Sequence, residues 1–218
     1  MRFHAKPRAH DARDPSTVFT EAMTSRVRQA ILDAIVLAGR AESTADLPPL
    51  TVERASASVA PARLARAHPG DAAAREGARH LYERCLAYYR SAVRPQDQAL
   101  GVDDVGAAVA AFVAANVGAL RGTPVTPALL QILERQLHGI ARITSDWEAA
   151  PVVERQAYFE QLALLAVFVA ESATQAATQG PAAVANVQRA ARGYLRQLLD
   201  LDPDQLTLGP DGLAARAP

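Results

Sequence analysis

Two polar side chains, Gln156 and Glu160, stand one helical turn apart at the edge of the most apolar stretch of the chain, PVVERQAYFEQLALLAVFVAESA, residues 151–173. A carboxylate beside an apolar run is a candidate general acid or base, because loss of water raises its proton affinity. Arg135 and Gln136, in the preceding helical segment, would complete a polar cluster of Arg135, Gln136, Gln156 and Glu160. A guanidinium and two amides converging with that carboxylate on an open cavity would make a small-molecule or hydrolytic pocket. The alternative is a structural pair, with Gln156 and Glu160 bonded to each other, to Arg135 or Gln136, or to a helix end. One carboxylate without a convergent second reactive group favours the structural account, and no catalytic residue is assigned.

Other constellations give way to simpler readings. Glu134 and His138 are four apart on one helical segment, a spacing that can hold a metal, but it is not the Glu-x-x-His spacing of di-iron bundles, and surface ion pairing is preferred. His68 and His80 are not read as metal ligands. In the C-terminal segment Asp200, Asp202, Asp204 and Asp211 fall at the first, third, fifth and twelfth places of a would-be calcium loop. Gln205 replaces the glycine such a loop needs, Pro203 interrupts it, and Asp replaces the bidentate Glu. A helix end followed by turns fits better. Cys85 is the only cysteine; a small apolar helix residue is preferred to a nucleophile. No Gly-rich phosphate loop, nucleophile elbow, HExxH or Cys/His zinc spacing occurs. Neither a cofactor nor a metal is expected.

Acidic and basic residues balance at 23 each, so no overall field draws the chain to nucleic acid or to an anionic membrane. Tyr88, Tyr89 and Arg90 have the types that stack on bases, but with so few aromatics helix packing is the better account. Half of the 218 residues are hydrophobic, Ala dominates them, and aromatics are only 5%. That composition favours close-packed helices over sheet, so the expected class is all-α with one core. The uninterrupted apolar run 162–170 is about half the roughly 20 residues that span a bilayer, and no transmembrane segment is expected. The first residues, MRFHAKPRAHDARDP, lack the apolar core of a secretory signal. A cytoplasmic location is the default expectation.

The elements that must position these residues follow from spacing and punctuation. Residues 1–14 are polar and expected to be a disordered tail. An amphipathic helix follows over 15–39, started by Pro15 and stopped by Gly39, and it is suited to dock on the core or on a partner. From 40 to 70 the periodicity fails around Pro48, Pro49, Pro61 and Pro69, which implies an extended arm or linker in which 50–59 can pair with another segment. Residues 71–213 read as a helical core. Its helices start near Asp71, Asp103, Thr126, Pro151 and Pro181, and an alternating segment with Leu206, Leu208 and Leu213 folds back at its end. Residues 214–218 form a tail. The total is about six helices around 151–178, whose all-round apolar middle places it inside. The small residues of 105–121 imply close approach of another helix.

Several segments, in order, resemble a bacterial family of unknown function common in proteobacteria. These are LTVERASASVAPARLAR, LGVDDVGAAVAAFVAANVGALRGTPVT, Gln136 of ERQL, ERQAYFEQLALLA and the closing LDLDPDQLTLGPDGL, together spanning residues 50–213. The resemblance implies no activity. It implies that relatives are often exported behind a signal peptide, from which the first forty residues of this chain depart. The expected role is a non-enzymatic helical interaction or structural module, meeting a protein partner or a second copy through residues 15–70. The alternative is a small-molecule-binding protein or hydrolytic enzyme with a polar pocket around Glu160.

Overall fold

A computed structural model of the chain describes residues 15–37, 50–55, 57–123, 125–137 and 144–215. The expected tail 1–14, the whole segment 38–49 including the Gly39 stop, His138 and the last three residues lie outside the described residues. Nine α-helices occur among those described: α1 Pro15–Leu37, α2 Ala60–Ala67, α3 Ala72–Tyr88, α4 Pro95–Leu100, α5 Val105–Arg121, α6 Pro127–Leu137, α7 Thr144–Ala149, α8 Val152–Gln179 and α9 Pro181–Leu199. A π-helical turn, Tyr89–Val93, continues α3. Two small antiparallel ladders complete the chain. Strand β1, Thr51–Glu53, pairs with β2, Val102–Asp104. Strand β3, Leu206–Gly209, pairs with β4, Gly212–Ala215.

The all-α class holds. The six helices expected from sequence correspond to α1, α3, α5, α6, α8 and α9, and the three additional ones are short. Helix α2 falls inside the expected arm. Pro61 starts it rather than breaking a pattern, because a proline in the first turn gives up an N–H that has no helical acceptor anyway. The remainder of the described arm is extended, and β1 pairs with β2 in the register Val52 to Asp103.

Helix α8 is central, but it shares the centre with α5, against which it packs more extensively than against any other element. Every residue of α5 from Val105 to Ala119 except Ala115 is buried. Its alanines and glycines bring backbones together, as at Gly118, where an added Cβ would lie 2.9 Å from the Thr123 carbonyl oxygen. Helix α9 covers both, α3 lies on α8, and α6 lies on α5. Helix α1 is docked on this body. Met23, Val27 and Ile31 are fully enclosed, the helix packs on α9, β4, α6 and α7, and the Thr24 hydroxyl donates to the Leu198 carbonyl at 3.2 Å.

Candidate functional site: a buried clasp and an open groove

The π-helical turn arises where α3 ends. The Arg94 N–H donates to the Tyr89 carbonyl, five residues back, at 2.8 Å. The wider turn lets consecutive side chains meet one ring of α8: Tyr89 packs edge-on to Phe159 with centroids 5.9 Å apart, and the Arg90 guanidinium lies 5.9 Å above the same ring. Single π turns of this kind collect at sites with a specific task. Here the task is to aim Arg90.

Arg90 joins a chain of alternating charges. Arg54, after β1, donates to Asp103 at 2.7 Å and to the Val102 carbonyl at 2.8 Å. Asp103 accepts from Arg90 at 2.6 Å, and Arg90 reaches Glu160 at 3.4 Å. The other Glu160 oxygen accepts the backbone N–H groups of Val59 and Ala60 at 2.7 and 3.0 Å. Gln156 donates to Glu160 at 2.8 Å and to the Ala57 carbonyl at 2.9 Å. Exposure is 2% for Asp103, 2% for Gln156 and 0% for Glu160, so both carboxylates are enclosed, and all four of their oxygens accept hydrogen bonds.

The physical role of Glu160 follows from α2. A helix start leaves N–H donors without partners and carries partial positive charge. The residue at the cap, Val59, has no side-chain acceptor to offer. Glu160 supplies the missing oxygen from about a hundred residues away, and so fastens the arm to α8. Arg63 adds a second tie, a two-pronged pair with Glu154 at 2.7 and 2.7 Å.

The four residues singled out in the sequence occupy three places. Gln156 and Glu160 are together in the clasp. Gln136 faces the C-terminal hairpin, donating to the Leu213 carbonyl at 2.6 Å and accepting the Leu213 N–H at 2.7 Å. Arg135 is exposed on α6. A cavity of about 150 Å3 lies nearby between α2 and α8, bordered by Arg63, Leu64, Glu154 and Tyr158, and neither Gln156 nor Glu160 lines it. Sequence reasoning missed Arg54, Arg90 and Asp103. A signal existed for Asp103: of two successive aspartates only Asp104 caps α5, accepting the Ala107 N–H at 3.2 Å. Strand alternation then turns Asp103 inward, where it demands a cation.

The remaining candidates also find partners. Glu134 pairs with Arg94 at 2.8 Å, and Arg94 holds Asp97 at 2.6 Å. Asp200 closes α9 in the left-handed region at φ 49°. Asp202 accepts from the Asp204 N–H at 3.2 Å, and Asp204 pairs with Arg192 at 2.6 Å. Among the described residues no group of three or more His, Cys, Asp or Glu is placed to hold a metal ion. Burial pushes the Cys85 thiol above its ordinary range, which disfavours the nucleophilic thiolate.

A different polar group lies at the far side of the π turn. Asp104 and Glu134 are both raised above the usual carboxylate range by burial, with Asp97 adding repulsion and Arg94 opposing it. The Tyr89 hydroxyl, raised by burial, feels the same four charges, and it has no hydrogen-bond partner. Three carboxylates thus face one guanidinium.

Next to this group begins an apolar groove over the seam of α5 and α8. One half, about 390 Å3, is bordered by Tyr89, Val93, Leu130 and Val167. The other, about 410 Å3, is bordered by Gly118, Ala173, Ala177 and Val187. The halves share Ala115, Val125 and Ala170, so they form one trough. No helix among the described residues is long and apolar enough to cross a membrane.

Fold and site together define an α-helical module with a clasped arm, a buried polar network whose carboxylates are satisfied internally, and an open apolar groove. The chain belongs to the family described as "Family of unknown function (DUF6683)", whose model matches residues 5–216. No curated protein and no solved structure matches.

Proposed function

We propose that the protein is a non-enzymatic interaction module. One observation carries the reading: the acceptors of the most deeply buried carboxylate, Glu160, are taken up by Val59, Ala60, Gln156 and Arg90. A general acid or base must be free to meet a substrate proton. Glu160 instead holds the arm in place, which is a structural task, while the groove leaves apolar surface uncovered. Within residues 15–70 the apolar side chains Met23, Val27, Ile31 and Val52 already face the chain's own core. That moves the contact surface from the first helix to the groove.

The test is cross-linking of the full chain in cells that express it, identification of the captured protein, and reconstitution of the complex from purified components by analytical ultracentrifugation. A saturable complex is expected. A turnover activity of the purified chain, abolished by Glu160→Gln in a variant that still unfolds cooperatively, would overturn the reading.

A further inference from the structure

The geometry points to the α5–α8 groove as the docking site of a cationic amphipathic helix from a protein partner, its apolar face in the trough and its Lys or Arg residues at the Arg94–Asp97–Asp104–Glu134 end. This rests on the interaction-module reading above and adds the surface and the chemistry of the partner.

The shape selects a helix. The trough runs along α8 from Ala166 to Ala177, which at 1.5 Å per residue is about 17 Å, or three turns. Its walls are mainly helices, with Gly122, Thr123, Val125 and Thr126 of the α5–α6 connection on one side; helical backbone groups are already bonded within themselves, so an extended peptide laid along them would find no continuous ladder partner. A helix brings its own bonds and needs only apolar contact. Alanine and glycine along the walls leave room for the larger side chains of such a face.

Charge selects the partner and its orientation. Val93 and Leu130 line one half of the trough. Arg94 follows Val93 directly, and Glu134 lies one turn beyond Leu130 on α6. Asp97, Asp104 and Glu134 carry three negative charges against the single charge of Arg94, and the Arg94 side chain is already engaged at 2.6 and 2.8 Å. Glu171 adds a further acidic group on the wall. The 2% exposed Tyr89 has a hydroxyl without a partner beside these carboxylates, an independent sign that this end lacks a group. An incoming ammonium or guanidinium supplies the charge. A fatty acid or an anionic headgroup would be repelled at that end. A second copy of the chain offers no free helix of this kind among the described residues, since α1, α3 and α9 turn their apolar stripes to their own core.

The probe is a fluorescein-labelled Ala/Leu peptide of about 15 residues, long enough to form a helix, with lysines at one end, compared with its lysine-to-glutamate counterpart. Binding to the full chain is read by fluorescence anisotropy at low and high salt. The lysine peptide is expected to bind saturably and to weaken with salt, and the glutamate peptide to bind at least about tenfold more weakly. Ala170→Trp and Ala177→Trp, which fill the trough from exposed positions, should each reduce binding about tenfold while leaving the melting temperature unchanged. Equal binding of the two peptides, binding indifferent to both tryptophans, or no binding overturns the proposal. So does a dimer of the unaltered chain that Ala170→Trp dissociates, or uptake of a fatty acid that the peptide does not displace. If a reconstituted partner binds regardless of the tryptophans, this inference falls and the interaction-module reading stands.

Discussion

Glu160 is the residue on which the arm depends, and the reason is a shortage of local acceptors. The N–H groups of Val59 and Ala60 are donors at a helix start whose own cap residue is a valine. Removing the carboxylate by Glu160→Ala leaves both donors and part of the Arg90 charge unsatisfied in the interior. Breaking a buried charged pair in this way costs about 3–5 kcal/mol. Glu160→Gln keeps an oxygen for the two N–H groups but sets its amide against the donors of Gln156 and Arg90, with a cost of about 1–3 kcal/mol. Urea unfolding should therefore rank the unaltered chain above Glu160→Gln and Glu160→Ala below both. In Glu160→Ala the amides of Val59 and Ala60 should lose hydrogen-exchange protection before those of α8. An alanine variant as stable as the unaltered chain would remove the clasp from the account of the fold.

At the scale of elements, the hairpin of β3 and β4 is pinned by a position that only glycine fills. Gly212 has φ of 100°, and an added Cβ would lie 2.5 Å from the Gln136 side-chain oxygen. Gly212→Ala therefore combines backbone strain with displacement of the amide that holds Leu213, for a cost of about 1–3 kcal/mol. Adding Gln136→Ala to it removes the collision and leaves the strain. The double variant should lose less than the sum of the two single losses, a coupling that denaturant titration of the four proteins measures directly. Strict additivity would mean that a side chain at position 212 does not displace the Gln136 amide. The elements also show what could be read in advance. Helix α8 and the returning leucines of the tail follow from apolar pattern alone, and the Gln156–Glu160 pair from spacing. Helix α2 was hidden because it is short and capped from afar. Arg54 was hidden because Asp103 lies 49 residues away, and Arg90 because its acidic partners Asp103 and Glu160 lie 13 and 70 residues away. Gln136 and Arg135 adjoin in sequence, but on a helix neighbouring residues point about 100° apart. That separation sends one to the hairpin and the other to solvent.

For the whole molecule, the question is whether the first helix is a detachable arm or a wall of the core. Met23, Val27 and Ile31 have 0% exposure, and full burial of such side chains is worth about 1.5–3 kcal/mol each. Together they represent about 5–9 kcal/mol, comparable with the about 5–15 kcal/mol that separates a folded domain from its unfolded chain. Their removal would also uncover the faces of α9, α6 and β4 on which they rest. A chain lacking residues 1–37 should therefore lose its cooperative thermal transition and bind a dye for exposed apolar surface, while keeping much of its helical circular dichroism. If instead it melts cooperatively within a few degrees of the full chain, α1 is an accessory element, and its apolar face becomes a second surface able to meet a partner. The distinction matters for any binding experiment. A partner lost on deletion of the first helix is evidence for contact there only if the shortened chain still folds, whereas a single tryptophan at Ala170 tests the groove on an intact body.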